Sequence, residues 1–280
     1  MTSIVTSCLL TRSVGAVLVL TLSAPNRRNA LSPAMISGLR QALTNAHADS
    51  KVAAVVLAGA DGFFCSGGDL TQLARHRALT AAERRRDLEQ LHDVIRMLRS
   101  FAKPVIGAVE GGAAGAGVSL ALACDLLVAD AQAHFSVAYV KAGLTPDGGV
   151  TTFLAHTVSR QLLMELCLTG DRITAERLHG LGVVNRLTQK GMAEAEAIAL
   201  ASRLAGGPQQ AIAAIKRLGW SAMSQTLETQ LDLEAELMVQ AQAGEEAAEG
   251  IAAYLDKRPA DFVALRACSK SPRGSVAPEK

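Results

Sequence analysis

Short apolar runs alternate with longer amphipathic stretches along the first part of the chain. Residues 4–10, 17–22, 53–58, 105–109 and 126–129 are dominated by Val, Ile, Leu and Ala, which predicts buried strands. Between them, residues 33–48, 80–100 and 116–124 carry apolar positions at helical spacing. Ser32 ahead of Pro33 is a helix-start signal, an N-cap followed by proline at the first helical position. This alternation predicts an α/β architecture in which helices cover sheet strands. From about Val158 the texture changes: residues 160–168, 174–181, 192–204, 208–220 and 223–243 predict helices, with one strand at 183–187. Leu227, Leu231, Leu233, Leu237 and Met238 form an apolar stripe, expected to face the core or a second subunit. Beyond Ala264 the periodicity ends. The pattern therefore predicts an α/β core over 1–190, a helical region over 191–262 and a disordered tail over 263–280.

Composition narrows the picture. The 280 residues are 49% hydrophobic but only 3% aromatic, so the core is built from small and branched aliphatic side chains. The formal charge is +2, from 28 basic and 26 acidic side chains, and gives no reason to expect a nucleic-acid or membrane partner. Arg84-Arg85-Arg86, followed by Asp87 and Glu89, reads as a solvated helix face. The five cysteines are scattered and the six histidines show no ligand spacing, so neither a disulfide framework nor a metal site is expected. A reducing cytoplasm is the simplest home. Residues 15–24 imitate a short secretory segment, but the strand-like run ahead of them favours a buried strand ending at Pro25-Asn26. No stretch reaches the length of a membrane span.

Three turn segments could carry chemistry. They are Phe63-Phe64-Cys65-Ser66-Gly67-Gly68-Asp69-Leu70, Gly111-Gly112-Ala113-Ala114-Gly115-Ala116-Gly117, and Leu144-Thr145-Pro146-Asp147-Gly148-Gly149. The second lies between a strand and a helix, yet Gly112-x-x-Gly115-x-Gly117 does not match the dinucleotide pattern, and no Gly-Lys-Ser/Thr follows. Nucleotide cofactors are accordingly not expected. Glycine turns of this kind can aim two peptide N–H groups at one carbonyl oxygen, an oxyanion hole. From the residues alone, close helix–strand packing is the favoured account of the same glycines, and Pro-Asp-Gly-Gly reads first as an ordinary turn.

Taken in order, these segments resemble the crotonase superfamily, the enoyl-CoA hydratase/isomerase family. The pieces that carry the resemblance begin with Pro25-Asn26-Arg27-Arg28-Asn29-Ala30-Leu31 and Phe64-Cys65-Ser66-Gly67-Gly68-Asp69-Leu70. They continue through Lys103-Pro104 to Gly117, Ala123-Cys124-Asp125, Gly143 to Gly149, Leu168 to Thr174, and Lys257-Arg258-Pro259. The resemblance spans roughly residues 4–262. It implies a spiral of ββα units with a C-terminal helical trimerisation region, assembled as a homotrimer or a dimer of trimers.

By the same resemblance, the reaction proceeds through a thioester enolate. The backbone N–H groups of Gly68 and Ala116 would form the oxyanion hole, with Ala116 standing where glycine is more frequent. Arg27, Arg28, Ser66, Asp69 and Leu70 would flank the coenzyme A portion of the substrate, and Lys257 and Phe262 would complete it. Coenzyme A belongs to the substrate, so no separate cofactor is expected. The two glutamates with which hydratases split water fall on Ser119 and Tyr139, neither of which ionises readily near neutral pH. Tyr139 is expected to line the acyl pocket. Asp147 stands where several isomerases of the family keep their acid/base residue. The expectation is an acyl-CoA isomerase that shifts a Δ3 double bond to Δ2 or rearranges a ring thioester, in fatty-acid or aromatic-acid degradation. The alternatives are a hydratase with a relocated base and a catalytically silent thioester binder.

Overall fold

The apolar runs become strands of a single large sheet. The computed structural model describes residues 4–6 and 8–268. The strands are β1 (Ile4–Thr6), β2 (Leu9–Val14), β3 (Val17–Leu22), β4 (Ala54–Gly59), β5 (Val105–Val109), β6 (Gly112–Ala114), β7 (Leu126–Asp130), β8 (His134–Ser136), β9 (Arg172–Thr174) and β10 (Arg186–Thr188). Among the described residues, the larger sheet has the order β1-β2-β3-β4-β5-β7-β10, and a smaller one the order β6-β8-β9. The β1–β2 and β2–β3 pairings are antiparallel; from β3 through β10 the larger sheet is parallel. Every residue of β5 and nearly every one of β4 is buried, as expected of parallel strands covered on both faces.

The first unit, Met1–Ala205, also holds α1 (Pro33–Ala48), α2 (Leu70–His76), α3 (Ala81–Ser100), α4 (Ala116–Leu122), α5 (Val150–Ala155), α6 (Arg160–Thr169), α7 (Ala175–Gly180) and α8 (Ala193–Ala205). Ser32 caps α1 by accepting the Met35 N–H at 3.2 Å. Thr80 and Glu83 form a reciprocal capping box on α3. Met35, Leu39, Leu43 and Ala46 bury one face of α1, and Leu91, Val94, Ile95 and Leu98 one face of α3. Helix α8 lays Ala193, Ala197, Ala201 and Ala205, each four residues apart, into the core cluster containing Val19, Ala54, Val56 and Ile106.

That packing moves the expected boundary. The first unit runs to 205, past the expected 190, and a largely alanine face of α8, together with Leu200, is seated directly on the sheet. Two strands also differ from expectation. Residues 4–10 are not one strand: Thr6 pairs with Leu9, and the chain reverses there into β2. The strand expected at 183–187 is Arg186–Thr188. Gly182 takes a left-handed φ of 78°, and the Val183 N–H bonds back to Leu178 O at 2.9 Å, so these residues turn before the strand begins.

The second unit, Gly206–Lys280, contains α9 (Gln209–Ser221), α10 (Leu227–Gln242), α11 (Glu245–Leu255) and α12 (Phe262–Cys268). The tail expected from 263 is thus helical at its start, and 269–280 lie outside the described residues. Of the apolar stripe on α10, Leu237 is buried, whereas Leu227, Leu231 and Met238 are exposed in the isolated chain. Among the described residues, no helix is long and apolar enough to cross a membrane.

Candidate active site

The loop after β3 is held by a buried asparagine. Arg28 and Asn29 both adopt left-handed backbone angles, with φ of 47° and 56°. The Asn29 side chain accepts the Ala24 N–H at 2.8 Å and donates to Ala60 O at 2.9 Å and Phe63 O at 2.7 Å. This ties the loop to the turn after β4. The Arg28 guanidinium lies 5.5 Å from the centre of the Phe63 ring. The Ser66 hydroxyl donates to Arg27 O at 2.9 Å, and its N–H donates to Arg28 O at 2.9 Å.

Arg27 also forms an ion pair with Asp69. Asp69 is 5% exposed and caps α2, its other carboxylate oxygen accepting the Thr71 N–H at 2.9 Å. Burial alone would raise its pKa. The Thr71 N–H, the bond and charge of Arg27 and the Gln72 N–H outweigh that and hold the carboxyl below its ordinary range. Leu70 begins α2 with an exposed side chain. The structure therefore gathers Arg27, Arg28, Ser66 and Asp69 into one hydrogen-bonded patch beside Leu70.

Immediately next to this patch, the Cys65–Gly68 turn runs against Ala113–Ala116. Cys65 and Ala113 form a parallel bridge, and the Ala114 N–H donates to Cys65 O at 2.9 Å. Gly67 has φ of 91°, and a Cβ there would lie 2.6 Å from Ala114 O and 3.2 Å from Ala116 N. A Cβ on Gly117 would lie 2.4 Å from Cys65 O. These two positions need glycine because backbone meets backbone. The Cys65 thiol is buried, which pushes its pKa up to about 12 despite the Gly67 N–H donating to its sulfur. It is a neutral packing group. Ala116 is the first residue of α4, where a peptide N–H has no acceptor within its own helix.

One turn along α4 stands Ser119, fully buried. Its hydroxyl donates to the backbone oxygen of Asp147 at 2.9 Å, and Gly148, at φ of 62°, packs so closely that a Cβ would lie 2.8 Å from Ser119 Cβ. Tyr139 lies in the short 3-10 turn Ala138–Ala142 and donates its phenol to Asp147 Oδ1 at 2.6 Å. The Ser119 and Tyr139 oxygens are 3.4 Å apart, and a Cβ on Gly115 would lie 3.9 Å from the Tyr139 ring. Burial first, then the charge and hydrogen bond of Asp147, keep the Tyr139 phenol well above its ordinary pKa, although the Ser119 hydroxyl and the Asp147 backbone act the other way.

Helix α4 thus links the paired glycine turns to a Ser119–Tyr139–Asp147 cluster. The sequence marks these three residues separately, but not the bonds between them. Asn29 carries no functional signal in the sequence beyond its place before Ala30-Leu31, although asparagine is a residue that tolerates its left-handed angle. Lys257, at φ of 55°, and Phe262, the first residue of α12, belong to the second unit. Among the described residues, no group of three or more His, Cys, Asp or Glu side chains is arranged to hold a metal ion.

Comparison with known proteins identifies the scaffold. Residues 12–264 match the family model described as enoyl-CoA hydratase/isomerase. The chain is 35% identical over 247 residues to 1,2-epoxyphenylacetyl-CoA isomerase of Escherichia coli K12, covering 88% of this chain and 94% of that protein. It is 34% identical to the 2,3-dehydroadipyl-CoA hydratase of the same organism, with the same coverage. The crystal structure of an enoyl-CoA hydratase from Polaromonas sp. JS666 superposes with a TM-score of 0.88 at 42% identity, covering 90% of this chain and 98% of that one. Its mixed α/β body with a helical C-terminal region is the crotonase fold, and the chain belongs to the enoyl-CoA hydratase/isomerase family.

Proposed function

We propose that the protein is an acyl-CoA isomerase that moves a double bond from Δ3 to Δ2, or rearranges a related ring thioester, through a stabilised enolate. The observation that carries this reading is the Asp147 carboxylate. It is the one carboxylate of the Ser119–Tyr139–Asp147 cluster, whose other members are hydroxyls, and burial and Asp147 keep the Tyr139 phenol protonated. In the proposed reaction the thioester oxygen accepts the N–H groups of Gly68 and Ala116, which stabilise negative charge as it develops. Asp147 removes a proton from C2; the C2–H pair flows into the dienolate. The same carboxyl then returns the proton at C4, leaving the double bond between C2 and C3. One base and one oxyanion site suffice, and no water enters.

Arg27, Arg28, Ser66, Asp69 and Leu70 would border the coenzyme A moiety, and Lys257 and Phe262 are the C-terminal candidates for the same role. The exposed Leu227, Leu231 and Met238 support self-association as a homotrimer or a dimer of trimers.

The relatives carry both isomerase and hydratase names, so the deciding assay presents 3-enoyl-CoA and 2-enoyl-CoA side by side. Conversion of the 3-enoyl ester without change of mass, lost in Asp147→Asn, supports the proposal. A gain of one water by the 2-enoyl ester would overturn it in favour of a hydratase. Tight binding of a broad thioester panel without turnover would make the protein a silent binder.

A further inference from the structure

We infer that Tyr139 is a positioning residue for Asp147: its phenol ties one carboxylate oxygen, leaving the other in a fixed place to carry the proton. This rests on the isomerase reading above, and it concerns a contact that the sequence does not display. The phenol donates to Asp147 Oδ1 at 2.6 Å, while Ser119 fixes the backbone of the same residue through its carbonyl oxygen at 2.9 Å. Among the described residues, Asp147 Oδ2 accepts no hydrogen bond. Both ends of the aspartate, backbone and one carboxylate oxygen, are therefore anchored by neutral hydroxyls.

The choice of anchor has a chemical meaning. A lysine or arginine at the same place would hold the carboxylate but would also draw charge from it and weaken it as a base. The Tyr139 phenol is a donor without a positive charge, and its burial keeps the proton on it throughout the cycle. During the shift, the C2 proton forms an O–H bond on Oδ2, and that bond breaks again as C4–H forms. Tyr139 changes neither its protonation nor its bonding partner. Its contribution is to stop rotation of the carboxylate between the two transfers, so that the oxygen that took the proton is the one that returns it.

Two measurements test this, one of them independent of any turnover. The chain contains two tyrosines, and Tyr254 is 84% exposed. Alkaline titration read by phenolate absorbance can follow both tyrosines in the folded protein, the first being the exposed Tyr254 and the second the partly buried Tyr139. The second should stay protonated until unfolding. In Asp147→Asn the second step should move to lower pH, because the charge facing the phenol is gone. Simultaneous ionisation of both tyrosines, or an unmoved second step in Asp147→Asn, would overturn the proposed bond.

The kinetic test is Tyr139→Phe, which keeps the ring and removes the donor. We expect kcat to fall about 10- to 100-fold, the size of a lost hydrogen bond to a charged group, with KM within about twofold, because a misaligned base affects the transition state and not ground-state binding. An unchanged kcat would overturn the positioning role, as would a loss confined to KM. If the wild-type protein turns over no 3-enoyl ester, the isomerase reading fails on its own, and the titration still decides the Tyr139–Asp147 contact. Should Tyr139→Phe fail to fold, the titration of the wild type and Asp147→Asn tests the contact without it.

Discussion

Two aspartates in turns of this protein are held in opposite ways. Asp69 uses both carboxylate oxygens: one caps α2 through Thr71, and the other is paired with Arg27. Nothing is left over for chemistry. Asp147 gives only Oδ1 to a partner, and that partner is a neutral phenol. Both side chains lie in loops that glycine shapes. What separates them is the charge of the donor and the number of oxygens it occupies. A saturated, cation-paired carboxylate is a structural joint, whereas the half-saturated one with an uncharged partner is the base of the proposed reaction.

The comparison can be broken most decisively at Asp147. Asp147→Asn should cost about 100- to 10,000-fold in kcat for the isomerisation, the usual worth of a positioned general base, while the melting temperature stays close to wild type. A stability loss as large as that of an Asp69 variant would mean that both aspartates are joints. Tyr139→Phe should give a smaller kinetic loss, since it leaves the base in place and removes only its anchor.

Next comes the backbone that presents both turns. Gly67→Ala places a methyl group 2.6 Å from Ala114 O at a φ of 91°, and should destabilise the fold by about 1–3 kcal/mol or more, measured by denaturant unfolding. Wild-type stability in this variant would show that the two turns are not locked together.

The mildest test lies at Asp69. Asp69→Ala should lower stability by about 1–2 kcal/mol through loss of the cap and of an ion pair whose arginine is exposed. Because the folded-state pKa is held below its ordinary value, the contribution is complete above about pH 4 and fades as pH falls through the lowered value. Unfolding curves of wild type and Asp69→Ala should therefore converge in acid. Curves that stay parallel down to low pH would remove the carboxylate from the stability of this turn.

Much of this was legible along the chain because the signals are local. Ser32-Pro33 marks the start of α1, and the unbroken apolar runs of β4 and β5 announce strands covered on both faces. The glycine turns are visible as composition, and Asp147 as the carboxylate retained among them. Other features depend on geometry that the pattern does not encode. Tyr139 and Asp147 are eight positions apart with a 3-10 turn intervening, so neither strand nor helix periodicity brings them together. The hairpin at Thr6 and Leu9 hides inside one apolar run, because strand reversal leaves hydrophobicity unchanged. Helix α8 has a face of alanines, whose small contrast with solvent-facing residues conceals how deeply it is buried.

That alanine face has a mechanical consequence. Ala193, Ala197 and Ala201 have no side-chain torsions, so these three contacts freeze no rotamers, and the side-chain entropy cost of seating α8 falls on Leu200 and its partly buried neighbours Ile198 and Leu204. The same simplicity removes every means of yielding. A leucine side chain offered extra volume can swing to another rotamer, but a methyl group on a fixed backbone cannot. Added bulk at any of these three positions must shift the helix as a rigid body, and with it the Gly191 and Ala193 N–H groups that Glu110 binds at the end of β5. At these three positions the seam behaves as a stop, with a single methyl layer between helix and strands.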